Sequence, residues 1–382
     1  MFSLSNFKRN SISLSIAALT ALALSSCAGD NTAQVGSTTP GESNTEEASA
    51  PKSTSKLALA NDTSLTGAGA SFPAPLYQRW FVDFSNATPN LQVDYQSVGS
   101  GAGVERFMQN LVNFGASDVA MKDEEISKVE KGVLMLPMTA GSVVLAYNLP
   151  GVDELNLTQA VMIDILLGKI TKWNDPKIAE ANPDATLPDT NITVVYRSDG
   201  SGTTGVFTKN LSAMSEEWKT QVGEGKTVEW PVGIGGAKND GVAAQIRQTE
   251  GAIGYLELGF AKSAGLNMAA LENKAGKFIY PTDEAASQAL AAVELPENLR
   301  AFVTNPEGED SYPIVTYTWL LAYKQYDDPE IAQSVEAMIE YGLNEGQMIS
   351  SDLGYIPLPD NVREKVAMAA DAISPEYTIE VK

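Results

Sequence analysis

RSDGSGTT, residues 197–204, puts one guanidinium, one carboxylate, two glycines and a cluster of hydroxyls directly ahead of an apolar run. Arginine offers a planar fork of donors that fits a tetrahedral oxyanion. Glycines let the backbone approach a ligand closely. A helix that starts here aims free N–H groups and its positive dipole end at an anion. Such a segment is half of an oxyanion site, and the other half must come from elsewhere in the chain. Asp199 stands two residues after Arg197, placed to pair with the guanidinium and orient it, or to form a plain salt bridge at a turn.

Two further helix starts share this form. After Ser71-Phe72, Pro73 suits a first helical turn, and Leu76, Trp80, Phe81 and Phe84 fall on one face. After Ser100-Gly101, Val104, Phe107, Met108, Leu111 and Val112 recur with helical spacing. After Ser201-Gly202 the apolar residues are Val206, Phe207 and Leu211. Each start sets a hydroxyl beside free N–H groups. Singly, each reads as an ordinary N-cap; three of them with an arginine point to an anion.

Asp118, in NFGASDVAM, follows an apolar strand-like run and has no lysine beside it. It is either the N-cap of the next segment or an acceptor turned toward a ligand. An ionised carboxylate can only accept, so as a ligand group it requires a proton on the oxyanion. Phosphate carries one at neutral pH and sulfate does not. Leaving buried polar groups unpaired can reject an analogue by ~10⁴–10⁵.

Composition narrows the chemistry. At 382 residues, two domains are expected, and 43% hydrophobic residues suffice for sizeable cores. There is no histidine, which removes imidazole metal sites and Ser-His-Asp triads. The single cysteine, Cys27, excludes an intrachain disulfide framework and a thiolate metal cluster. Carboxylates are scattered, so no paired-metal site and no cofactor are expected. The net charge of −22 argues against nucleic acid and anionic membrane as partners. An acidic chain that binds an anion must use local dipoles and one or two cations. Screening over about 8 Å weakens the distant carboxylates.

The N-terminus reads as an address. Lys8 and Arg9 precede an apolar run from Ile12 to Leu24 that is short for a membrane span. Leu24-Ser25-Ser26-Cys27 resembles a bacterial lipobox, whose cysteine is acylated and opens the mature chain. Residues 1–26 are thus a lipoprotein signal peptide, and their removal would take the charge from −22 to −24. Residues 27–60 are rich in Ser, Thr, Gly, Glu and Ala without apolar periodicity, as in a disordered tether. Strand-like and helix-like segments then alternate, which argues an α/β fold. SVVLAYN from Ser142 and IVTYTWLLAYK from Ile314 read as buried strands, and Asp328-Pro329 opens a helix. Trp173, Trp218 and Trp230 read as packing residues. GEGKT at 223–227 imitates the end of a P-loop, but Thr220 stands where a glycine is required, so it reads as a surface loop. Ser201 lacks a nucleophile elbow and an activating base, which argues against an enzyme.

These pieces together resemble the phosphate-binding lipoproteins and periplasmic proteins that serve the phosphate-specific ABC importer. The likeness runs from LTGAGASFPAPLY (65–77) through YQSVGSGAGV, VNFGASD, LLGKITKWNDP, RSDGSGTTGVFT, WPVGIGGAKNDGVA and GAIGY to LGYIPLPDNV (353–362), in family order. The resemblance implies a type II periplasmic-binding-protein fold of two lobes joined by a two-strand hinge, with crossovers near Ser142 and Tyr317. Lobe I would comprise 61–142 and 317–382, and lobe II 143–316. Inorganic phosphate would sit between them on Ser71, Phe72, Ser100, Asp118, Arg197, Ser201, Gly202 and Thr203, with Asp199 orienting Arg197. Phe72 would use its backbone N–H, and Ser71 stands where some relatives have Thr. The implied protein is an extracytoplasmic, lipid-anchored monomer that delivers phosphate to membrane permease subunits and performs no chemistry. Competing readings are a secreted phosphohydrolase, a carrier of sulfate or molybdate, and a surface adhesion protein.

Overall fold

The computed structural model describes residues 56–382, residue 292 excepted, and these belong to one compact unit. The expected signal peptide, Cys27 and the expected tether up to residue 55 lie outside the described residues. The expected tether boundary at residue 60 is late. Leu57 is already buried, and Lys56 pairs with Glu340 and Glu380.

Among the described residues the main sheet has nine strands. At one end Leu91–Ser97, Thr63–Gly69 and Phe114–Ser117 run parallel. At the other, Ala252–Glu257, Thr193–Arg197 and Ile234–Gly236 also run parallel. Two antiparallel strands, Val315–Tyr323 and Val133–Tyr147, lie between the groups. Val133–Tyr147 changes partner along its length: residues up to Ser142 pair with Val315–Tyr323, and residues from Val143 pair with Ala252–Glu257. It begins at Val133, well before the expected Ser142, because strand pairing carries it through both groups. The registers make the two parallel groups run toward each other, with Ser117 facing Trp319 and Glu257 facing Val143. Their C-terminal ends therefore converge near residues 142–143, where open α/β sheets bind ligands.

The helices follow the expected faces with two corrections. Ala74–Ala87 buries Leu76, Trp80, Phe81 and Phe84, together with Tyr77. Pro73 occupies its N-cap position, and Pro75 fills the first turn, where a missing N–H costs nothing. The second helix is Ser100–Met108 and starts at Ser100 itself. It stops before Leu111 because Asn110 turns left-handed at φ 58°, which leaves Leu111 64% exposed. Gly202–Met214 buries Val206, Phe207 and Leu211 as expected. Trp173 and Trp218 are fully buried, and Trp230 stacks on Tyr196 and Tyr255, so all three pack. Asp328 caps Pro329–Leu343 through the Glu330 N–H.

Glu336 sits on that last helix with no exposure, and burial pushes its carboxyl up to about 8. The folded chain then holds a proton that the unfolded chain releases near 4.5, so this group makes stability fall as pH rises from about 4.5 to about 8. Glu336→Gln is expected to flatten that fall by about 1 kcal/mol per pH unit. Urea unfolding across this range measures it, and an unchanged slope would contradict the assignment.

Candidate functional site

The convergence of strand ends fixes what the site contains. Thr63–Gly69 leads into Ser71 and Phe72, Leu91–Ser97 into Ser100, and Phe114–Ser117 into Asp118. From the opposing group, Thr193–Arg197 ends in Arg197, Ile234–Gly236 leads into Lys238 and Asn239, and Ala252–Glu257 ends in Glu257. Four helices of eight residues or more start just after these ends, at Ala74, Ser100, Gly202 and Lys238. Their first N–H groups lack intrahelical partners, which makes the region electropositive without many cations.

Asp118 is the centre of one hydrogen-bond cluster. It is 2% exposed, and its Oδ1 accepts from the Thr318 hydroxyl at 2.9 Å. Its Oδ2 faces the hydroxyls of Ser100 at 3.5 Å and Thr203 at 3.4 Å. Those two contacts are long, so Oδ2 keeps capacity to accept a further proton donor. The Asp118 N–H donates to Ser100 Oγ at 3.2 Å. Burial pushes the Asp118 carboxyl up to about 6, against the Thr318 hydrogen bond and the Arg197 charge. Asp118 does not cap the next helix, Asp123–Ile126, whose N-cap position is Lys122.

Arg197 is the centre of a second cluster. The residue is 4% exposed and holds Asp199 in a two-point pair, Nε to Oδ1 at 2.8 Å and Nη2 to Oδ2 at 2.6 Å. The pair spends one edge of the guanidinium on Asp199 and leaves Nη1 beside Thr203 Oγ1 at 3.4 Å. Burial pushes the Asp199 carboxyl up, but the Arg197 guanidinium and the Lys238 N–H outweigh it and hold the group below its ordinary value. Thr203 thus touches both Arg197 and Asp118 and joins the clusters. Ser201 caps Gly202–Met214 by accepting from the Thr204 N–H at 3.0 Å, so here the N-cap reading also holds. A Cβ on Gly202 would overlap Ser100 Oγ and Asp118 Oδ2, so only glycine lets this helix start come so close.

The remaining expected residues join through neighbours. Ser71 is 1% exposed and its Oγ accepts from Asn239. The Phe72 carbonyl accepts from the Tyr355 hydroxyl at 2.7 Å, which fixes the following peptide. Gly101 N–H donates to the Gly200 carbonyl at 2.8 Å, so the second and third expected helix starts meet backbone to backbone. The eight residues expected to hold the anion thus lie in one buried region, with Asp199 half-buried beside Arg197.

Several contributors escape sequence reasoning. Thr318 lies 200 residues from Asp118 and looks like any strand threonine. Lys238 and Asn239 open a fourth helix whose apolar spacing, Val242, Ala243 and Ile246, was a usable signal. The GEGKT loop, expected to be a surface loop, braces the site: the Lys226 carbonyl accepts from the Ser201 N–H at 2.8 Å. Its ammonium also pairs with Glu125 at 3.5 Å. Among the described residues no group of three or more His, Cys, Asp or Glu could hold a metal ion.

Asp199→Ala would leave the Arg197 guanidinium buried without its counter-charge, at an expected loss of about 3–5 kcal/mol of stability. Denaturant unfolding measures this, and an unchanged midpoint would show that Arg197 does not depend on the pair.

Comparison with known proteins shows the family. A family model described as a PBP superfamily domain matches residues 44–345. The phosphate-binding protein PstS of Pasteurella multocida is 42% identical over 306 residues, covering 79% of this chain and 88% of that protein. The phosphate-binding protein PstS of Haemophilus influenzae is 41% identical over 310 residues, covering 80% and 92%. The solved phosphate-binding protein from Stenotrophomonas maltophilia shares the fold with a TM-score of 0.64 at 21% identity, covering 80% of this chain and 93% of that one. The chain therefore belongs to the PBP superfamily and, within it, to the PstS family of phosphate-binding proteins.

Proposed function

We propose that this protein binds inorganic phosphate among Ser71, Phe72, Ser100, Asp118, Arg197, Ser201, Gly202 and Thr203 and delivers it to the permease of an ABC phosphate importer. The observation that carries the reading is Asp118: a buried acceptor set between hydroxyl donors, Arg197 and helix N-termini. Donors gather the bare oxygens of the ion, while the carboxylate requires one oxygen to bring a proton. Sulfate has no such proton, and its oxygen would face Asp118 unpaired.

Residues 61–142 with 317–382 would form one lobe and 143–316 the other, Val133–Tyr147 and Val315–Tyr323 linking them. Supporting this, the partner change at Ser142 and Val143 coincides with the implied crossover. Each lobe supplies part of the donor set, so the ion is fully satisfied only when the lobes meet. Ligand then shifts an open–closed equilibrium, and a permease docks the closed form. Contacts that would close with the lobes include Gly101 to Gly200 and the pairs Lys226–Glu125 and Arg300–Asp123. Cys27 would carry the lipid that holds the protein, as a monomer, on the outer face of a bacterial membrane. No described helix is long and apolar enough to cross one. The relatives bear names of binding proteins, which with the absence of histidine from the sequence supports a carrier that performs no chemistry.

Calorimetric titration with phosphate and then sulfate tests the reading: saturable phosphate binding and no sulfate competition are expected, and comparable sulfate affinity would overturn it. Arg197→Ala is expected to weaken phosphate binding by about 2–5 kcal/mol. Asp118→Asn, whose amide also donates, should relax the rejection of sulfate. The same relaxation is expected in the unaltered protein as pH falls below about 6, because a protonated Asp118 can donate to a bare oxygen. Competition binding at several pH values measures both; constant discrimination would remove Asp118 from the role.

A further inference from the structure

Asn239 has no place in the ligand set above, yet it is fully buried and spends every polar group of its side chain inside the site. It stands second in the helix Lys238–Gln248, which has no side-chain cap. Lys238 adopts a left-handed φ of 59°, rare for a residue with a Cβ. This turn sends two successive N–H groups to different partners. Lys238 N–H donates to Asp199 Oδ1 at 2.9 Å, and Asn239 N–H donates to Ser71 Oγ at 3.3 Å. The Asn239 side-chain Nδ2 donates to the same Ser71 Oγ at 3.0 Å, while its Oδ1 accepts from the Glu257 N–H at 3.2 Å. The Glu257 donor settles which end of the amide is oxygen, so the NH₂ end must face Ser71.

We infer that Asn239 is a positioning residue that fixes the Ser71 hydroxyl as a hydrogen donor toward the bound anion. A serine hydroxyl has one proton and two lone pairs. Asn239 occupies both lone pairs, from its backbone and its side chain. The hydroxyl can no longer accept, and its proton is left to point away from Asn239. Ser71 then demands a bare oxygen, whereas Asp118 demands a protonated one. The two corners together read the proton count of the ligand from opposite sides. Aspartate at 239 would fail in this role: its oxygens would draw the Ser71 proton to themselves. The left-handed Lys238 also ties this corner to the Arg197–Asp199 pair, so both corners rest on one helix start.

The inference rests on the phosphate-binding reading and is tested against phosphate by a double-mutant cycle of the purified protein, Asn239→Ala, Ser71→Ala and the combination. Asn239→Ala is expected to weaken phosphate about tenfold at mildly alkaline pH, the worth of one hydrogen bond. In the Ser71→Ala background the same change should have little effect. Additive losses would overturn the inference. A bridge that merely held the two segments together would also give coupling, so the pH profile decides between them. At mildly acidic pH phosphate carries an extra proton that a freed Ser71 can accept, and the loss from Asn239→Ala should shrink severalfold relative to the unaltered protein. Asp118 titrates in both proteins and cancels in that ratio. A loss constant across pH would overturn the positioning role. If Asn239→Ala does not fold, Asn239→Asp enters the same cycle; its added charge cancels in the coupling with Ser71, and zero coupling is then the refuting result. A failure of the unaltered protein to bind phosphate would refute the functional reading itself; normal binding with additive losses would refute this inference alone.

Discussion

Burying a guanidinium in a chain of net charge −22 is the constraint around which the site is organised. Arg197 has almost no contact with water, and a lone buried cation would be costly. Asp199 offsets that cost with two parallel hydrogen bonds and fixes the plane of the fork. The same carboxylate accepts the Lys238 N–H, so the pair also sets where the helix Lys238–Gln248 begins. What remains of the guanidinium faces Thr203 and, through it, Asp118. A balanced pair contributes little net charge. The pull on an anion would then be shared between one partly spent cation and the N–H groups of several helix ends, which carry no formal charge.

Much of this was legible locally. Helix starts are written in short-range chemistry: a hydroxyl, one or two glycines, then apolar residues at helical spacing. Gly202–Met214 therefore reads correctly from RSDGSGTT onward, cap included. What stayed hidden depends on pairing across the chain. Nothing in SVVLAYN announces that its strand begins at Val133, because only the sheet makes it long enough to meet two sets of partners. Thr318 acquires a role solely because Val315–Tyr323 is laid beside Phe114–Ser117. Leu111 shows the opposite error, where periodicity ran on past a left-handed Asn110 that ended the helix. The glycine-rich 223–227 loop uses a main-chain carbonyl to hold Ser201, which leaves no trace in side chains.

Two buried carboxyl groups flank the region and differ in kind. Asp118 has its Oδ1 held by Thr318 and its Oδ2 turned to the cluster, so its charge state bears on what the cluster will accept. Glu257 is sealed beside the point where Val133–Tyr147 changes partner, and burial pushes it up to about 8, with the Gly259 and Phe260 N–H groups opposing. It takes part through its backbone, whose N–H orients Asn239. Desolvation is the largest influence on both, and each has three hydrogen-bond donors; Asp118 stays lower because the Arg197 charge favours its ionised form, whereas the Asp118 charge opposes ionisation of Glu257.

The sealing of this region has a consequence for timing. Ser71, Ser100, Asp118, Arg197 and Thr203 are each at most 4% exposed, and Gly101 touches Gly200 across their rim. A small ion held inside that ring could not leave past them one bond at a time. Its dwell time would be governed by how often the walls breathe apart, more than by the strength of any one contact. Unloading would then be a matter of leverage: whatever gripped the outer faces and pried them open would decide when the cargo goes free.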